Sequence, residues 1–453
     1  MAFNASTYRN TISLAGVVLA TAGAVLFLVV FLADLFGLHT NPYIGIVCFL
    51  LLPGIFLVGL LLIPIGAWTG RRRKHAPSGL QWPRIDLNDA GQRRAAILVL
   101  ALTLANVVIV SLAAYRGIEY MDSVGFCGQV CHTVMKPEFA AYQDGAHSRV
   151  TCVQCHIGSG ASWFAKSKIS GTRQILAVTF HTYSRPIPSP VENLRPARDT
   201  CEQCHWPEKF HGDVIRNVTE YGEDEKNTET VTTLQVHVGG GSERLGVAQG
   251  IHWHMNVANQ VEYIATDDKR QVIPWIRVKD RFGRVREYAA PGVKPEDLAK
   301  GERRLMDCMD CHNRPAHPMA ATPERAVNEL MARGEIPKTL PFVRREAVKA
   351  LKIDYPTQDA AEQRIAQTLR DFYRTQYPDS YMTKRQDVEK AVQNTTAVYR
   401  RNVFPEMRVQ FGTYPNNIGH MDSPGCFRCH DDNHKTSDGR ALTQDCETCH
   451  RIQ

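Results

Sequence analysis

Three long apolar runs occupy the start of the chain, and the remaining residues show only shorter apolar periods. The runs cover residues 11–36, 43–68 and 95–115, and each is long enough to cross a bilayer as a helix. The first run exceeds the apolar segment of a cleavable signal peptide and has Arg9 as the one basic residue before it, which favours an uncleaved anchor. A buried core helix is the alternative for the third run, the shortest. We predict a three-helix transmembrane anchor at residues 1–118.

Beyond this anchor the pattern predicts three regions of different character. Residues 119–212 are compact and partly helical, residues 213–300 are rich in short strands, and residues 301–453 return to helices and irregular chain. Strands are predicted at 230–238, 260–267, 271–278 and 284–288, and helices at 323–334, 343–353, 359–375 and 384–400. The mixed charge of those helices is typical of a solvated face.

The positive charge of the chain is concentrated beside the apolar runs. The formal net charge is +7, and residues 71–94 carry seven Lys and Arg residues against two Asp. A basic loop between two membrane spans faces the cytoplasm. The N-terminus is then also cytoplasmic, and everything after Tyr115 lies on the periplasmic side of a bacterial inner membrane. The charge therefore concerns orientation in a lipid bilayer, and nucleic acid is not expected as a partner.

Twelve of the 13 cysteines fall into six close pairs, and the second cysteine of every pair is followed directly by histidine. Histidine supplies 17 of 453 residues, so chance does not explain six such triplets. The remaining Cys48 lies in an apolar run and is most simply a small core residue. The pairs are Cys127 and Cys131, Cys152 and Cys155, Cys201 and Cys204, Cys308 and Cys311, Cys426 and Cys429, and Cys446 and Cys449.

The spacing of these pairs suits covalent attachment of haem c. Two thiols a short turn apart can add to the two vinyl groups of one porphyrin, and the next residue then reaches the iron with an imidazole. Zinc ribbons and redox dithiols also use paired cysteines, but they do not require histidine immediately afterwards. We predict six covalent haems, numbered one to six in chain order, and the first motif is one residue wider than the rest. The predicted proximal ligands are His132, His156, His205, His312, His430 and His450.

Each iron takes a sixth ligand unless it binds a substrate, and the remaining histidines exceed that demand. The surplus favours low-spin, bis-histidine haems, packed closely enough for electrons to hop between them. His252 and His254 would share one face of a strand, so one is expected to be a ligand and the other its neighbour. His181, His211 and His237 are left open. The candidate distal ligands are Met135, His147, His252, His254, His317, His420 and His434.

With these motifs the sequence resembles the NapC/NirT family of membrane-anchored, quinol-oxidising cytochromes c. The resemblance rests on the anchor followed by Cys127–Met135, on His147–His156 and on the third motif. It is similar to a larger branch of that family, with extra spans and haems, associated with extracellular and metal respiration. The predicted fold is a membrane-anchored multihaem cytochrome: three N-terminal transmembrane helices, then a mostly helical or irregular haem-packed periplasmic region with a β-rich insert.

The resemblance also implies a quinol site beside the first haem, at the membrane surface. The family places a lysine shortly after the second motif. Lys168, twelve residues past His156, matches it, with Lys166 as a close competitor. The family's aspartate a little further on has no match, since residues 169–191 contain no acidic residue.

Three functions are consistent with the sequence. The leading one is a quinol dehydrogenase and electron relay, which takes electrons from menaquinol or ubiquinol and gives them to a periplasmic redox protein or terminal reductase. The second is a haem-wiring subunit of a larger membrane complex, in which the additional spans are contact surface. The third is a terminal multihaem reductase acting on nitrite, hydroxylamine or a metal, which needs an iron with an open position.

The number of covalent haems gives the first testable prediction. We expect the intact mass to exceed that of the polypeptide by six haems, all of which survive acid-acetone extraction because thioether bonds hold them. Five haems, with Cys127 and Cys131 reacting as free thiols, would show that the widened first motif is not an attachment site.

Overall fold

The computed structural model describes residues 11–35, 51–72, 86–157, 161–191, 194–239, 250–255 and 259–453. The chain divides into two units, Met1–Cys131 and His132–Gln453, and each is described by itself. Cys48, the start of the second apolar run and the central part of the basic loop lie outside the described residues.

The first unit contains the helices α1 (Thr11–Leu35), α2 (Leu52–Arg72) and α3 (Ala90–Met121). Thr11–Val30 and the whole of α3 are long and apolar enough to cross a membrane, whereas the apolar part of α2, Leu52–Gly66, is shorter. Two of the three predicted spans therefore have sufficient length among the described residues. The middle span is described only in its second part.

Small residues let α1 and α2 approach each other closely. A Cβ atom on Gly16 would lie 2.8 Å from the carbonyl oxygen of Gly59, and one on Gly59 would overlap the backbone nitrogen of Ala20. The hydroxyl of Ser13 donates to the carbonyl oxygen of Ile63 at 3.0 Å. In lipid, where apolar side chains gain nothing by leaving the solvent, close backbone packing and interhelical hydrogen bonds hold helices together. Both features are present in this pair.

The second unit begins with α4 (His132–Gln143), α5 (Cys152–His156), α6 (Ala161–Thr179) and α7 (Ala197–Cys201). The strands that follow are β1 (Asp213–Tyr221), β2 (Glu229–His237), β3 (Gln260–Ala265), β4 (Trp275–Lys279) and β5 (Val285–Ala289). Next come α8 (Pro295–Lys300), β6 (Glu302–Leu305) and α9 (Cys308–Cys311). The C-terminal elements are α10 (Pro323–Ala332), α11 (Val343–Leu351), α12 (Gln358–Gln376), α13 (Pro378–Thr383), α14 (Arg385–Asn402) and β7 (His450–Ile452).

The strands form two antiparallel sheets, with the orders β1-β2-β7 and β5-β4-β3-β6. Both sheets take a strand from outside the predicted β-rich segment 213–300, because β6 and β7 belong to the C-terminal region. The pairing of β7 places His450 opposite Val236, so the last haem motif is held against β2. The side chains of β1 are mostly exposed and show no simple alternation, which explains why the hydrophobic pattern did not predict this strand.

Helices α10 to α14 form a body with its own apolar core in the part of the chain between the fourth and fifth motifs. Ile336, Leu340, Ile365 and Tyr373 are among its fully buried side chains. Residues 313–425 contain no cysteine, so this helical body carries no haem motif. The four helices predicted from the sequence coincide with α10, α11, α12 and α14 to within two residues at each end. Their amphipathic pattern is strong, which makes such elements the most predictable.

Candidate functional site

The regular cysteine motifs fold as short helical turns. The backbone N–H of the motif histidine donates to the carbonyl oxygen of the first cysteine at 2.8 Å in His205 and His312 and at 3.0 Å in His430. One such turn separates the two cysteines of a motif, so both thiols stand on one side of the turn. Each motif can therefore present two thiols and one imidazole to a single porphyrin.

The widened first motif lies in a π-helical turn, Phe126–Val130, at the start of which Cys127 donates to the carbonyl oxygen of Ser123 at 3.2 Å. A π-turn contains one residue more per turn than an α-turn. The extra residue between Cys127 and Cys131 is thus absorbed without separating the cysteines by more than one turn. Met135 follows in α4, where it is half-buried, and it stays a candidate distal ligand of the first iron.

Five histidine pairs stand at closely similar ring separations. Each pair joins the histidine of one regular motif to a histidine that the sequence marked as a candidate distal ligand. The ring centres are 6.0 Å apart for His205 and His147, 6.3 Å for His156 and His317, 6.4 Å for His312 and His252, 6.0 Å for His430 and His254, and 6.0 Å for His450 and His420.

These separations fit an iron between the two rings of each pair. Imidazole nitrogens bind first-row metals at about 2 Å, so two rings on opposite sides of one metal have centres roughly 6 Å apart. Direct packing of two aromatic rings does not by itself select this value, since ring centroids in such contacts range over about 4.5–7 Å. The residues of the five regular motifs therefore fit a haem iron with two histidine ligands.

Backbone carbonyl groups orient most of the candidate distal histidines. Nδ1–H donates to Pro315 in His147 at 3.0 Å, to Glu138 in His317 at 2.9 Å, to Val238 in His252 at 3.0 Å and to Ile251 in His254 at 3.0 Å. A carbonyl oxygen can only accept, so Nδ1 carries the proton and Nε2 keeps the lone pair that a metal binds.

Burial keeps two of these imidazoles neutral. It lowers the pKa of His252 and His254, both half-buried, below the ordinary histidine value, because the charged form is poorly solvated there. Neutral imidazole is the form that ligates a metal. The electrostatic environment and the ring geometry therefore favour the same chemistry.

His252 and His254 correct one expectation. They lie in a 3₁₀ turn, Ile251–Met255, and not in a strand. Successive residues in a 3₁₀ helix are rotated by roughly 120°, so residues two apart point in different directions. The His252 ring pairs with His312 and the His254 ring pairs with His430, so this one turn serves two motifs.

His434 has no nitrogen left for an iron. It is buried, with Nδ1 at 2.8 Å from a carboxylate oxygen of Asp431 and Nε2 donating to the carbonyl oxygen of Ile273 at 2.7 Å. These hydrogen bonds argue against the prediction that it is a distal ligand and make it a structural cross-link. The sequence around a histidine does not distinguish a metal ligand from a side chain that donates to a carbonyl group, which is why the prediction included His434.

The three histidines left open at the sequence level have other surroundings. Nδ1 of His237 lies 2.9 Å from a carboxylate oxygen of Asp213, the ring of His181 lies 6.4 Å from that of Tyr183, and His211 is exposed. Within the described ranges, no ring contact joins these three to a motif histidine. They are therefore not part of the paired arrangement.

A buried ion pair holds the segment that carries His317. Arg314 donates to a carboxylate oxygen of Glu138 at 2.7 Å, and its Nε donates to the carbonyl oxygen of His317 at 3.0 Å. The guanidinium also stacks on Tyr414, 3.9 Å from the ring centre. Since the Glu138 carbonyl oxygen accepts from the His317 ring, α4 and the chain after the fourth motif fix this imidazole from two sides.

Two charged residues inside the motifs are buried, a feature that the sequence analysis did not use. Asp310 lies between the cysteines of the fourth motif, accepts the hydroxyl proton of Tyr263, and has its pKa raised by burial. Arg428 lies between the cysteines of the fifth motif and is also buried. No signal in the sequence marked them, because residues between the cysteines of other motifs, such as Gln203 and Glu447, are exposed.

Zinc is the alternative metal for paired cysteines. A structural zinc site takes four Cys, His, Asp or Glu ligands, whereas here the motif histidines are paired ring to ring at a separation that fits one iron. Across the stretches of chain that the structure describes, no three such side chains gather into a metal-binding group. The paired rings favour haem.

Comparison with known proteins agrees with the residues. A family model described as the NapC/NirT cytochrome c family, N-terminal region, matches residues 90–187, which include α3, the first two motifs and α6. The chain is similar to the cytochrome c-type protein ImcH of Geobacter sulfurreducens, with 42% identity over 448 residues, covering 98% of this chain and 88% of that protein. No solved structure matches the chain.

Replacement of one distal histidine tests the ring pairs. In His317→Ala we expect six covalent haems, of which one becomes high-spin because His156 is left as its one protein ligand. Electron paramagnetic resonance and the optical charge-transfer bands report this change. The matched control is His211→Ala, which removes an exposed imidazole and should leave the spectra unchanged. If all haems stay low-spin in His317→Ala, this pair does not share an iron.

Proposed function

Because the chain belongs to the NapC/NirT family of membrane-anchored cytochromes c, we propose that it oxidises a membrane quinol and passes the electrons through six c-type haems to a periplasmic acceptor. The observation that carries this proposal is the set of five histidine pairs. Each pair would give its iron two histidine ligands, which suits electron exchange and would leave no open position for a substrate.

Bound haem supplies an iron that accepts and releases one electron at a time. The chain's own residues would hold the irons of the five regular motifs: His156 with His317, His205 with His147, and His450 with His420 are three of the five proposed ligand pairs. In each, the distal histidine comes from a segment beside a different motif. A haem is thus bound by two parts of the chain, and neighbouring haems share those parts.

Attachment cysteines of successive motifs lie next to each other. The thiols of Cys201 and Cys308 form a hydrogen bond, which together with burial raises the pKa of Cys201. Through-space electrostatic interactions, without a hydrogen bond, connect Cys155 with Cys201, Cys311 with Cys426, and Cys426 with Cys449. We infer that haems two to six follow one another in chain order.

Electron entry requires a polar group at the membrane surface that can hold a quinol hydroxyl. Oxidation of the quinol releases two electrons, which leave one at a time, and two protons.

Lys166 and Lys168 both lie on α6. A separation of two residues on an α-helix points their side chains in directions roughly 200° apart, so one site cannot use both. Lys166 is exposed and its ammonium lies 4.8 Å from the ring centre of Trp163, as expected for a side chain at a lipid surface. Half-buried Lys168 is the better quinol ligand.

Two other functions can be distinguished from this one by experiment. A haem-wiring subunit of a larger membrane complex would contain the same histidine pairs but would not react with quinol on its own. A terminal reductase of nitrite, hydroxylamine or a metal would need an iron without a distal ligand. The five paired motifs disfavour the reductase. No ring pair involves the first motif, so the iron ligands of that motif are not assigned.

The orientation proposed from the basic loop predicts where reporters are active. A reporter enzyme fused at Ser78 should be active only in the cytoplasm, because two membrane crossings separate this position from the cytoplasmic N-terminus. A reporter fused at Gln453 should be active only in the periplasm, because three crossings precede it. The reverse pattern would contradict the topology, and with it periplasmic haem attachment.

Lys168→Met tests the quinol site. We expect quinol-driven haem reduction to fall at least tenfold, because the ammonium that holds the quinol oxygen is gone, while reduction by dithionite and the haem content stay unchanged. Stopped-flow spectroscopy on the purified protein, with menaquinol and ubiquinol analogues, measures the rate. Lys166→Met is the matched control on the same helix and should reduce at the wild-type rate. Unchanged kinetics in both variants would remove the site from α6 and favour the wiring subunit.

A further inference from the structure

The fifth motif contains a buried arginine whose charge is not neutralised by a nearby carboxylate. Arg428 is 8% exposed. Its Nε donates to Gly425 at 2.8 Å, and its two terminal nitrogens donate to Arg270 at 2.8 Å and to Asp310 at 2.6 Å, in each case to the backbone carbonyl oxygen. Among the described residues it joins no ion pair. Buried charges are normally paired, so this arrangement calls for a physical explanation.

The carbonyl groups that hold Arg428 connect two haem motifs. Gly425 begins the turn of the fifth motif, Asp310 lies between the cysteines of the fourth, and Arg270 lies in the loop between β3 and β4. The amide of Asn417 donates to the same Asp310 carbonyl oxygen at 3.1 Å. The guanidinium is therefore fixed between the attachment turns of haems four and five.

The carboxylate of Asp310 does not neutralise this charge, because it is engaged elsewhere. Its oxygens accept from the Tyr263 hydroxyl and, at 2.7 Å, from the backbone N–H of Asp307, and one lies 3.8 Å from Nε of Arg304. Arg428 contacts only the backbone oxygen of Asp310.

Arg428 lies between the two attachment cysteines of the fifth motif, and one of its terminal nitrogens donates to the carbonyl oxygen of Asp310, the residue between the cysteines of the fourth motif. Its positive charge is therefore fixed next to the attachment turns of both haems. In a water-poor interior such a charge acts on a neighbouring electron much more strongly than at the surface.

We propose that Arg428 is a potential-setting residue, a fixed positive charge that raises the reduction potentials of haems four and five and makes this pair the electron-accumulating step of the chain. The proposal rests on the proposed function in one respect, that haems occupy these motifs. Reduction of a ferric haem adds one electron and removes one unit of positive charge, so a nearby cation favours the reduced form. Placed after the quinol-proximal haems, such a pair draws electrons away from the membrane.

The experiment is a spectroelectrochemical titration of the purified holoprotein. In Arg428→Gln we expect the ratio of reduced to oxidised haem to fall about tenfold at fixed potential for two of the six haems, which corresponds to ~59 mV for a one-electron couple. Arg428→Lys keeps the charge and should titrate like the wild type. Arg440→Gln, which removes an exposed arginine paired with Asp438, is the matched control and should leave all potentials unchanged.

Two outcomes overturn the proposal. One is an Arg428→Gln variant with six low-spin haems and wild-type potentials. The other is an Arg428→Lys variant shifted as far as Arg428→Gln, which would mean that the arginine acts through its geometry and not its charge.

A second variant covers the case in which Arg428→Gln does not assemble. Asn417→Asp places a carboxylate beside the guanidinium with almost no change of shape, and it should lower the same two potentials. Wild-type potentials in Asn417→Asp would then count against the proposal. Intact mass and the optical spectrum report haem loading separately, so a failure of the proposed function is distinguishable from a failure of this inference.

Discussion

A low-spin haem has a ligand on each side of its iron, and in this chain the two proposed ligands come from separate segments of the sequence. His156 is paired with His317, and His312 with His252, so each iron would act as a cross-link between distant parts of the second unit. Such a cross-link cannot form in the unfolded chain, which couples haem binding to folding. The order of elements in the second unit follows from this requirement more than from a single apolar core.

The same requirement explains how a haem-free helical body can interrupt the row of motifs. Helices α10 to α14 have their own core, yet His317 stands just before them and His420 stands after them, and both rings are paired with motif histidines. The carbonyl oxygens of Lys338 and Leu340 accept from the amide of Asn227 at 3.1 and 2.8 Å, which fastens this body to the turn between β1 and β2. The chain thus leaves the haem row and returns to it without breaking the sequence of ligand pairs.

The positive charge is treated differently at two arginines, the largely buried Arg314 and the buried Arg428. Arg314 is paired with Glu138, so its charge is neutralised and the pair serves to position His317. Arg428 is held by carbonyl dipoles alone, so its charge is solvated but not cancelled. Breaking the first kind of arrangement is expected to cost about 3–5 kcal/mol of stability, since it leaves a buried charge without a partner. The uncancelled charge of Arg428 is suited to stabilising an added electron on a neighbouring haem.

Local sequence patterns were enough to identify the haem-attachment chemistry and the limits of several helices. Covalent attachment depends on residues a few positions apart, and an amphipathic helix depends on a period of a few residues, so the cysteine motifs and the limits of α10, α11, α12 and α14 could be recognised along the chain. Tertiary structure decided what depends on distance in space. It separated His434, whose two nitrogens are bound to protein oxygens, from His147 and His317, which keep Nε2 available. It also buried Asp310 and Arg428, because burial is a property of the surrounding elements and leaves no mark on a charged residue's own sequence position.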